Sequence, residues 1–522
     1  MKKFYQKYTY QLMIIKYLFS LISIILAYTT TSSKKYILVG IIELLMIFSI
    51  SNYLVSKNNK VGQIVNSVLL FIFDVEELVL YFGSSFVNLI MLSNIASIKD
   101  LGGKFYLYIP FIIILIGILC IPIKEVKLKL SNVVTATTSI VLVIVINLLL
   151  TTNYSPFYSL VYLYQEYQFQ QSMHVSTNAS IDDFYKSNIE SAIDKDSNLT
   201  EQPNVIVIFT EGLSQSVIDD DRNLMPNIKA FENESIHFTN YYNHTFATYR
   251  GLIGQLYSGY QLENLDTNSL VSLQSILKSN GYATTFINTE PNNADFTNYL
   301  NSFSFDQVIS SSELGGIANS MSDRIAYDYL YEQCMNATTP FLTCMYTLDT
   351  HVNGSVADQV YGDGSNVYLN KFYNADYQFG CFLEKFKQSS LYDNTILIYT
   401  TDHCTYRDSD YANNFGNREY TSIDEIPLCI YYKGCNVQAI DVNGRNSLGL
   451  TPTILDLLDI TSENYFLGTS LFDTTTTSEF NTVFQSNSGI YTTENDQINK
   501  VSNSKKHLLS QQIKNYCAVA SS

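Results

Sequence analysis

Over the first 152 residues the apolar positions run in blocks too continuous for an alternating strand and too long for an ordinary core helix. Blocks at about residues 9–29, 36–55, 105–123 and 133–151 each approach the ~20 residues that a helix needs to cross a bilayer. The region 61–97 supplies one more, interrupted by Asp74, Glu76 and Glu77. It either spans 61–82 with the carboxylates inside, or 78–97 with them at its mouth. The pattern therefore predicts a transmembrane domain of about five spans over residues 1–152. On a helix, Asp74, Glu77 and Tyr81 share one face, and carboxylates at membrane depth point to function. The competing expectation is an interfacial turn between two shorter apolar pieces.

The pattern changes after residue 152. Residues 153–202 are rich in Ser, Asn, Asp and Tyr without a sustained period, and read as a connector carrying one or two surface helices. From 203 onward, short apolar runs alternate with helical periodicity. The runs at 205–209, 282–288, 340–351, 398–402 and 426–432 predict strands, the first buried on both faces. Segments 269–279, 323–336 and 374–390 predict helices, and Met-Pro-Asn-Ile at 225–228 opens another. Alternation of this kind implies an α/β domain over 203–480, with a mostly parallel sheet sandwiched by helices. The Thr-rich stretch near 475 and the tail 481–522 read as surface segments, and no internal repeat is visible.

Charge sharpens this division. Residues 1–152 hold 13 Lys and no Arg against 6 acidic residues, whereas the remainder holds 18 basic and 42 acidic residues. The acidic second part argues against a nucleic-acid partner. With five spans, Lys2, Lys3, Lys7, Lys57, Lys60, Lys124, Lys127 and Lys129 fall on one side, and only Lys34, Lys35, Lys99 and Lys104 on the other. The positive-inside rule then predicts a multi-pass protein of the cell membrane with its large domain extracytoplasmic. Four further spans make the first a retained anchor rather than a cleaved signal peptide. Of eight cysteines, seven lie after the membrane segment without CxxC spacing, so there is neither a complete disulfide framework nor a zinc ribbon; Cys334 with Cys344, or Cys429 with Cys435, remain possible pairs.

Candidate chemistry collects at predicted strand ends. Glu211 follows the run 205–209, His351 ends 340–351, and Asp402-His403 end the run from 398. Open α/β sheets place their chemistry at that edge, and carboxylates with imidazole make good metal ligands. Thr248 precedes a helix-length segment with Gly251, Gly254 and Gly259, where a helix amino terminus suits phosphate chemistry. An N-cap role for Thr248 is the plainer alternative.

Taken in order, NVIVIFTEG, Thr248 before a glycine-bearing helix, TLDTH, the segment 376–403 ending in TTDH, LTPTILDLLDI and YFLGTSLF resemble lipoteichoic acid synthase and related membrane phosphotransferases. These form part of the sulfatase-like branch of the alkaline phosphatase superfamily, and the resemblance covers roughly residues 200–475. It implies a metal site of Glu211, Thr248, Asp402 and His403, with Thr248 also the nucleophile and His351 beside the transferred phosphate. Such a mainly oxygen-rich set suits Mn²⁺, Zn²⁺ or Mg²⁺; the resemblance favours Mn²⁺ for a phosphoglycerol substrate and Zn²⁺ for phosphoethanolamine. His174, His237, His244 and His507 have no matching role, and Thr245 is the fallback nucleophile.

The implied activity is metal-dependent transfer of a phosphoglycerol-type group, through a phospho-threonine intermediate. The donor would be a membrane phospholipid, and the acceptor a glycan, a teichoic acid-like polymer or a lipid. One segment departs from the family. Residues 287–308 contain no His, Trp, Arg or Lys where the family binds glycerol phosphate, leaving Arg250 and Arg407 as nearby sources of positive charge. A phosphoethanolamine transferase or a phosphodiesterase or sulfatase-like hydrolase of the same fold is therefore a competing expectation, although the sulfatase Cys/Ser-x-Pro-x-Arg signature is absent. An inactive membrane scaffold or sensor is the third.

Overall fold

The computed structural model describes residues 2–31, 33–83, 85–93, 105–150, 154–173, 179–189, 191–337, 340–351, 358–473, 478–486 and 489–521. The chain forms two compact units, one of residues 1–168 with 407–421, the other of 169–406 with 422–522.

The first unit is helical. Its helices are Lys2–Thr31, Lys34–Lys57, Asn59–Gly83, the short Leu89–Ser93, Phe105–Leu119, Asn132–Leu150, the greater part of Pro156–Met173, and Ser409–Phe415. Among the described residues, Tyr8–Thr31, Lys34–Lys57 and Asn132–Leu150 are long and apolar enough to cross a membrane. Asn59–Gly83 is one uninterrupted helix through Asp74, Glu76 and Glu77, which replaces the interfacial turn considered from the sequence. All three carboxylates are buried; Asp74 and Glu76 have partners from neighbouring segments, whereas Glu77 Oε2 has no hydrogen-bond partner among the described residues. Ser20 and Ser23 each donate to Asp74 at 3.2 Å, and Val87 N–H donates to Glu76 at 3.0 Å. Two further buried charges lay hidden in the apolar blocks. Glu43 accepts from Ser155 Oγ, and the Lys16 ammonium donates to the carbonyls of Leu119 and Ile121 at 3.1 and 3.0 Å.

The second unit is built on an eight-stranded sheet. Its strands are β1 (Asn204–Thr210), β2 (Ile236–Thr239), β3 (Ala283–Ile287), β4 (Gln307–Ile309), β5 (Phe341–Tyr346), β6 (Thr395–Thr401), β7 (Leu428–Tyr431) and β8 (Gln438–Asp441). The order is β4-β3-β5-β1-β6-β7-β2-β8. All neighbours pair parallel except β7, which runs antiparallel to both β6 and β2. The three central strands explain the apolar runs: β5, β6 and all of β1 beyond Asn204 are buried residue by residue, as strands covered on both faces require. Register aligns their carboxyl ends, with Thr210 opposite Thr401, Phe209 opposite Tyr346, and Ile287 opposite Met345. Whatever follows these strands emerges along one edge.

The tail after residue 480 is not a surface segment. Strands β9 (Val483–Ser486), β10 (Gly489–Thr492) and β11 (Asn499–Lys500) form a second sheet, and the helix Asn503–Ala520 follows. Val483, Ile490, Leu509, Ile513 and Tyr516 share one buried cluster with Tyr260, Leu448 and Leu467. These apolar positions are diluted by Ser, Asn and Lys in the sequence, which hides their common face. No disulfide joins any of the eight cysteines.

Candidate active site

The edge formed by β3, β5, β1 and β6 carries the ionisable groups. Glu211 follows β1 directly, Asp402 and His403 follow β6, His351 lies five residues beyond β5, and Glu290 three beyond β3. Ligand atoms of Glu211, Asp402 and His403 all lie within 4.8 Å of one another, and all three residues are buried. His403 Nε2 stands 3.5 Å from both Glu211 Oε1 and Asp402 Oδ2. Its Nδ1 lies 2.8 Å from the Cys404 carbonyl, so that nitrogen carries a hydrogen, and Nε2 faces the carboxylates.

Asp402 is held from one side only. Its Oδ1 accepts from Gly212 N–H at 2.9 Å and from its neighbour His403 N–H at 2.7 Å, while Oδ2 is buried with no hydrogen-bond partner. A buried carboxylate oxygen without a donor costs free energy unless a cation or proton meets it. Burial, and then the charge of Glu211, push the Asp402 carboxyl up to about 7. Burial works against protonation of His403, but the attraction of Asp402 and Glu211 outweighs it and raises the imidazole above its ordinary value. Both directions describe a concentration of negative charge, and two carboxylates with one imidazole fit a divalent metal ion.

Thr248 completes the group. It opens the helix Thr248–Tyr257, and its Oγ1 donates to Glu211 Oε2 at 2.9 Å. The preceding Ala247 has φ +79° and ψ 147°, a conformation that L-residues seldom adopt, so the chain reaches this position under strain. Gly251 shows what holds the helix so close: a Cβ there would lie 2.2 Å from the Asp402 carbonyl oxygen. Gln255, one turn on, donates to the Thr401 carbonyl at 2.9 Å. Thr245 is occupied elsewhere, its buried hydroxyl donating to the Gln485 carbonyl of β9 at 3.0 Å. Gln485 N–H also donates to the His244 carbonyl at 3.0 Å, so the C-terminal sheet braces the approach to Thr248.

His351 interacts electrostatically with Glu290, Lys371, His403 and Asp402, which places it at the same edge. Desolvation, against the opposing attraction of Glu290, lowers the His351 imidazole below its ordinary value. Its loop is tied down by a carboxyl pair. Asp323 Oδ1 accepts from Leu348 and Asp349 N–H at 3.1 Å, and Asp349 Oδ2 accepts from Asp323 N–H at 3.0 Å. Burial raises both carboxyls, and their mutual repulsion adds to Asp349.

Arg250 is buried on the helix Thr248–Tyr257, in electrostatic contact with Glu263, Asp266 and His403; Arg407 belongs to the first unit. His244 is wholly buried, 2.7 Å from Ser447 Oγ, and burial lowers its pKa to about 3, so it packs as a neutral ring. His237 sits in β2 and His507 in the C-terminal helix; His174 is outside the described residues. Sequence reasoning missed Glu290 and Lys371. Glu290 does follow a strand by three residues, which was a usable signal, whereas nothing in the pattern of Val367–Lys387 distinguishes Lys371 from a surface charge.

Residues 203–460 match the Sulfatase family model. A protein of the alkaline phosphatase superfamily from Vibrio parahaemolyticus aligns at 18% identity with a TM-score of 0.51, covering 68% of this chain and 93% of that one. The integral membrane protein lipooligosaccharide phosphoethanolamine transferase A (EptA) from Neisseria meningitidis aligns at 12% identity with a TM-score of 0.50, covering 90% and 97%. The lipoteichoic acid synthase LtaP from Listeria monocytogenes aligns at 17% identity with a TM-score of 0.47, covering 65% and 95%. No curated protein matches the sequence. Residues 203–460 thus carry a sulfatase-type domain with the alkaline phosphatase fold.

Proposed function

We propose that the protein is a membrane-anchored phosphotransferase that moves a phospho-alcohol group, of the phosphoglycerol or phosphoethanolamine type, from a membrane phospholipid to an extracytoplasmic glycan, polymer or lipid. The observation that carries this reading is the hydroxyl of Thr248, hydrogen-bonded at 2.9 Å to Glu211 within the Glu211–Asp402–His403 cluster. Glu211, Asp402, His403 and the Thr248 oxygen would hold a divalent metal, Mn²⁺ for a phosphoglycerol substrate or Zn²⁺ for phosphoethanolamine. A bound ion supplies positive charge to the charge that develops on the phosphoryl group.

The chain's own groups divide the remaining work. Glu211 Oε2 already accepts the hydrogen of the Thr248 hydroxyl, and so draws the proton away as the oxygen attacks phosphorus. A bond forms between Thr248 Oγ1 and phosphorus, the bond from phosphorus to the diacylglycerol oxygen breaks, and diacylglycerol leaves with a proton. In the second half, the acceptor hydroxyl attacks phosphorus, the Thr248 ester breaks, and the threonine hydroxyl is restored. Neutral His351 can take the acceptor's proton, while its N–H in the first half serves a phosphoryl oxygen. Water in place of the acceptor makes the same site a hydrolase.

Thr248→Ala should abolish lipid turnover in the purified protein while leaving its fold and membrane insertion intact. Thr248→Ser should keep part of the activity, because the oxygen remains. Thr245→Ala should stay active, since that hydroxyl faces the Gln485 carbonyl. Turnover surviving in Thr248→Ala but lost in Thr245→Ala would move the nucleophile and contradict the assignment.

A further inference from the structure

The segment 287–308, which lacks any His, Trp, Arg or Lys, brings a carboxylate to the catalytic edge instead. Glu290 is half-buried, and its position is fixed: Tyr346 OH donates to Oε1, and Asn293 donates to Oε2 at 3.4 Å. Its own N–H donates to Asn288 Oδ1 at 2.9 Å, closing the turn that leads out of β3. Both side-chain donors are neutral, and among the described residues Glu290 enters no ion pair, so its charge is left for something else.

Aromatic rings stand around it. Tyr249, the neighbour of Thr248 in the chain, interacts electrostatically with Glu290. Its ring centroid lies 5.2 Å from Phe296 and 5.0 Å from Tyr299, and Phe296 lies 5.0 Å from Tyr346. Phe296, Tyr299 and Tyr346 are buried, whereas Tyr249 is half-exposed and presents part of its ring. Tyr299 OH donates to the Tyr249 carbonyl at 2.9 Å and fixes that residue at the start of the nucleophile's helix. His351, on the adjacent strand end, also interacts with Glu290, so the carboxylate is within electrostatic range of the residue assigned to the phosphate.

We propose that Glu290, with the Tyr249 ring beside it, forms a subsite for an ammonium group, so that the transferred unit is a phospho-amino-alcohol from the headgroup of an amine-bearing phospholipid. This rests on the phosphotransfer reading given above. A fixed, uncompensated carboxylate gains a charge-assisted hydrogen bond from an ammonium, and an aromatic face adds cation–π attraction. The hydroxyls of a glycerol group offer neither charge. The negative Glu290 also repels a second anionic group, which disfavours donors whose headgroup carries no cation.

The test uses the full-length, metal-loaded protein with vesicles of equimolar phosphatidylethanolamine and phosphatidylglycerol, and reads the mass of the adduct on the Thr248 peptide after rapid quenching. Wild type should carry phosphoethanolamine in preference to phosphoglycerol. Glu290→Gln keeps an acceptor for Tyr346 and should reduce that preference by about tenfold, the scale of one charge-assisted hydrogen bond. A purely structural role would lower labelling by both lipids equally and leave the ratio unmoved, which would overturn the proposal. A second measurement needs no variant: soluble phosphoethanolamine should compete with labelling of wild type better than glycerol phosphate does, and the reverse order would overturn the subsite. An adduct formed preferentially from phosphatidylglycerol refutes the subsite alone, whereas no adduct from either lipid refutes the phosphotransfer reading and the subsite with it.

Discussion

Asp402 Oδ2 is a buried carboxylate oxygen that no hydrogen-bond donor meets, and this atom states most directly that the cluster suits a cation. Glu211 crowds it with a second negative charge, and His403 Nε2 approaches both carboxylates at 3.5 Å without the geometry of a close ion pair. Asp402→Asn removes the charge and keeps the shape. Bound metal should then fall at least about tenfold in affinity, the lower end of what loss of an outer partner of a metal ligand costs, with activity falling alongside. Metal analysis of the purified variant checks this, and unchanged stoichiometry at limiting metal would place the ion elsewhere. At this scale the sequence was informative where a residue ends a buried strand, as Glu211 and Asp402 do. It was silent on Lys371, a lysine on a helix, and the strand-end signal of Glu290 acquires meaning only when the sheet order brings β3 beside β5.

The element that positions the proposed nucleophile is the helix Thr248–Tyr257, pressed against the end of β6. Gly251 makes that approach possible, since a methyl group there would sit 2.2 Å from the Asp402 carbonyl oxygen. In an exposed helix Gly→Ala stabilises by about 1 kcal/mol; here overpacking against backbone should cost about 1–3 kcal/mol instead. The larger effect belongs to catalysis. Displacing Thr248 by about 1 Å is enough to cost on the order of 100-fold in rate. Gly251→Ala should therefore remain folded by circular dichroism and lose turnover far out of proportion to its stability; near-normal turnover would show that the close approach is not what aims the hydroxyl. The glycines were visible in the sequence as a sign of close packing. The bracing of residues 244–245 by β9 was not, because that strand's pairing to the approach segment runs through backbone and hydroxyl groups that leave no hydrophobic pattern.

For the whole molecule, the apolar and acidic halves recognised from the sequence correspond to different kinds of structure: a helical unit with three helices of membrane-crossing length and composition, and a sheet-based unit with the candidate site. The sheet was legible because strands covered on both faces must be apolar throughout, as β1, β5 and β6 nearly are. The helix Asn503–Ala520 escaped notice because its buried Leu509, Ile513, Tyr516 and Cys517 alternate with polar residues. The lysine asymmetry leads us to propose that the sheet unit is extracytoplasmic. Protease added to intact cells should then release a fragment of about 40 kDa, as expected for roughly 370 residues after the spans; complete protection in intact cells with cleavage after lysis would reverse the orientation. The central claim, a covalent phospho-threonine intermediate, is tested most directly by quenching wild-type protein during turnover of membrane lipids and weighing the peptide that contains residues 245–250. The account predicts a phosphodiester adduct on Thr248 that disappears when an acceptor is added and never forms in Thr248→Ala. Full turnover with the adduct on another residue, or with no adduct under conditions that trap the slow step, would contradict it.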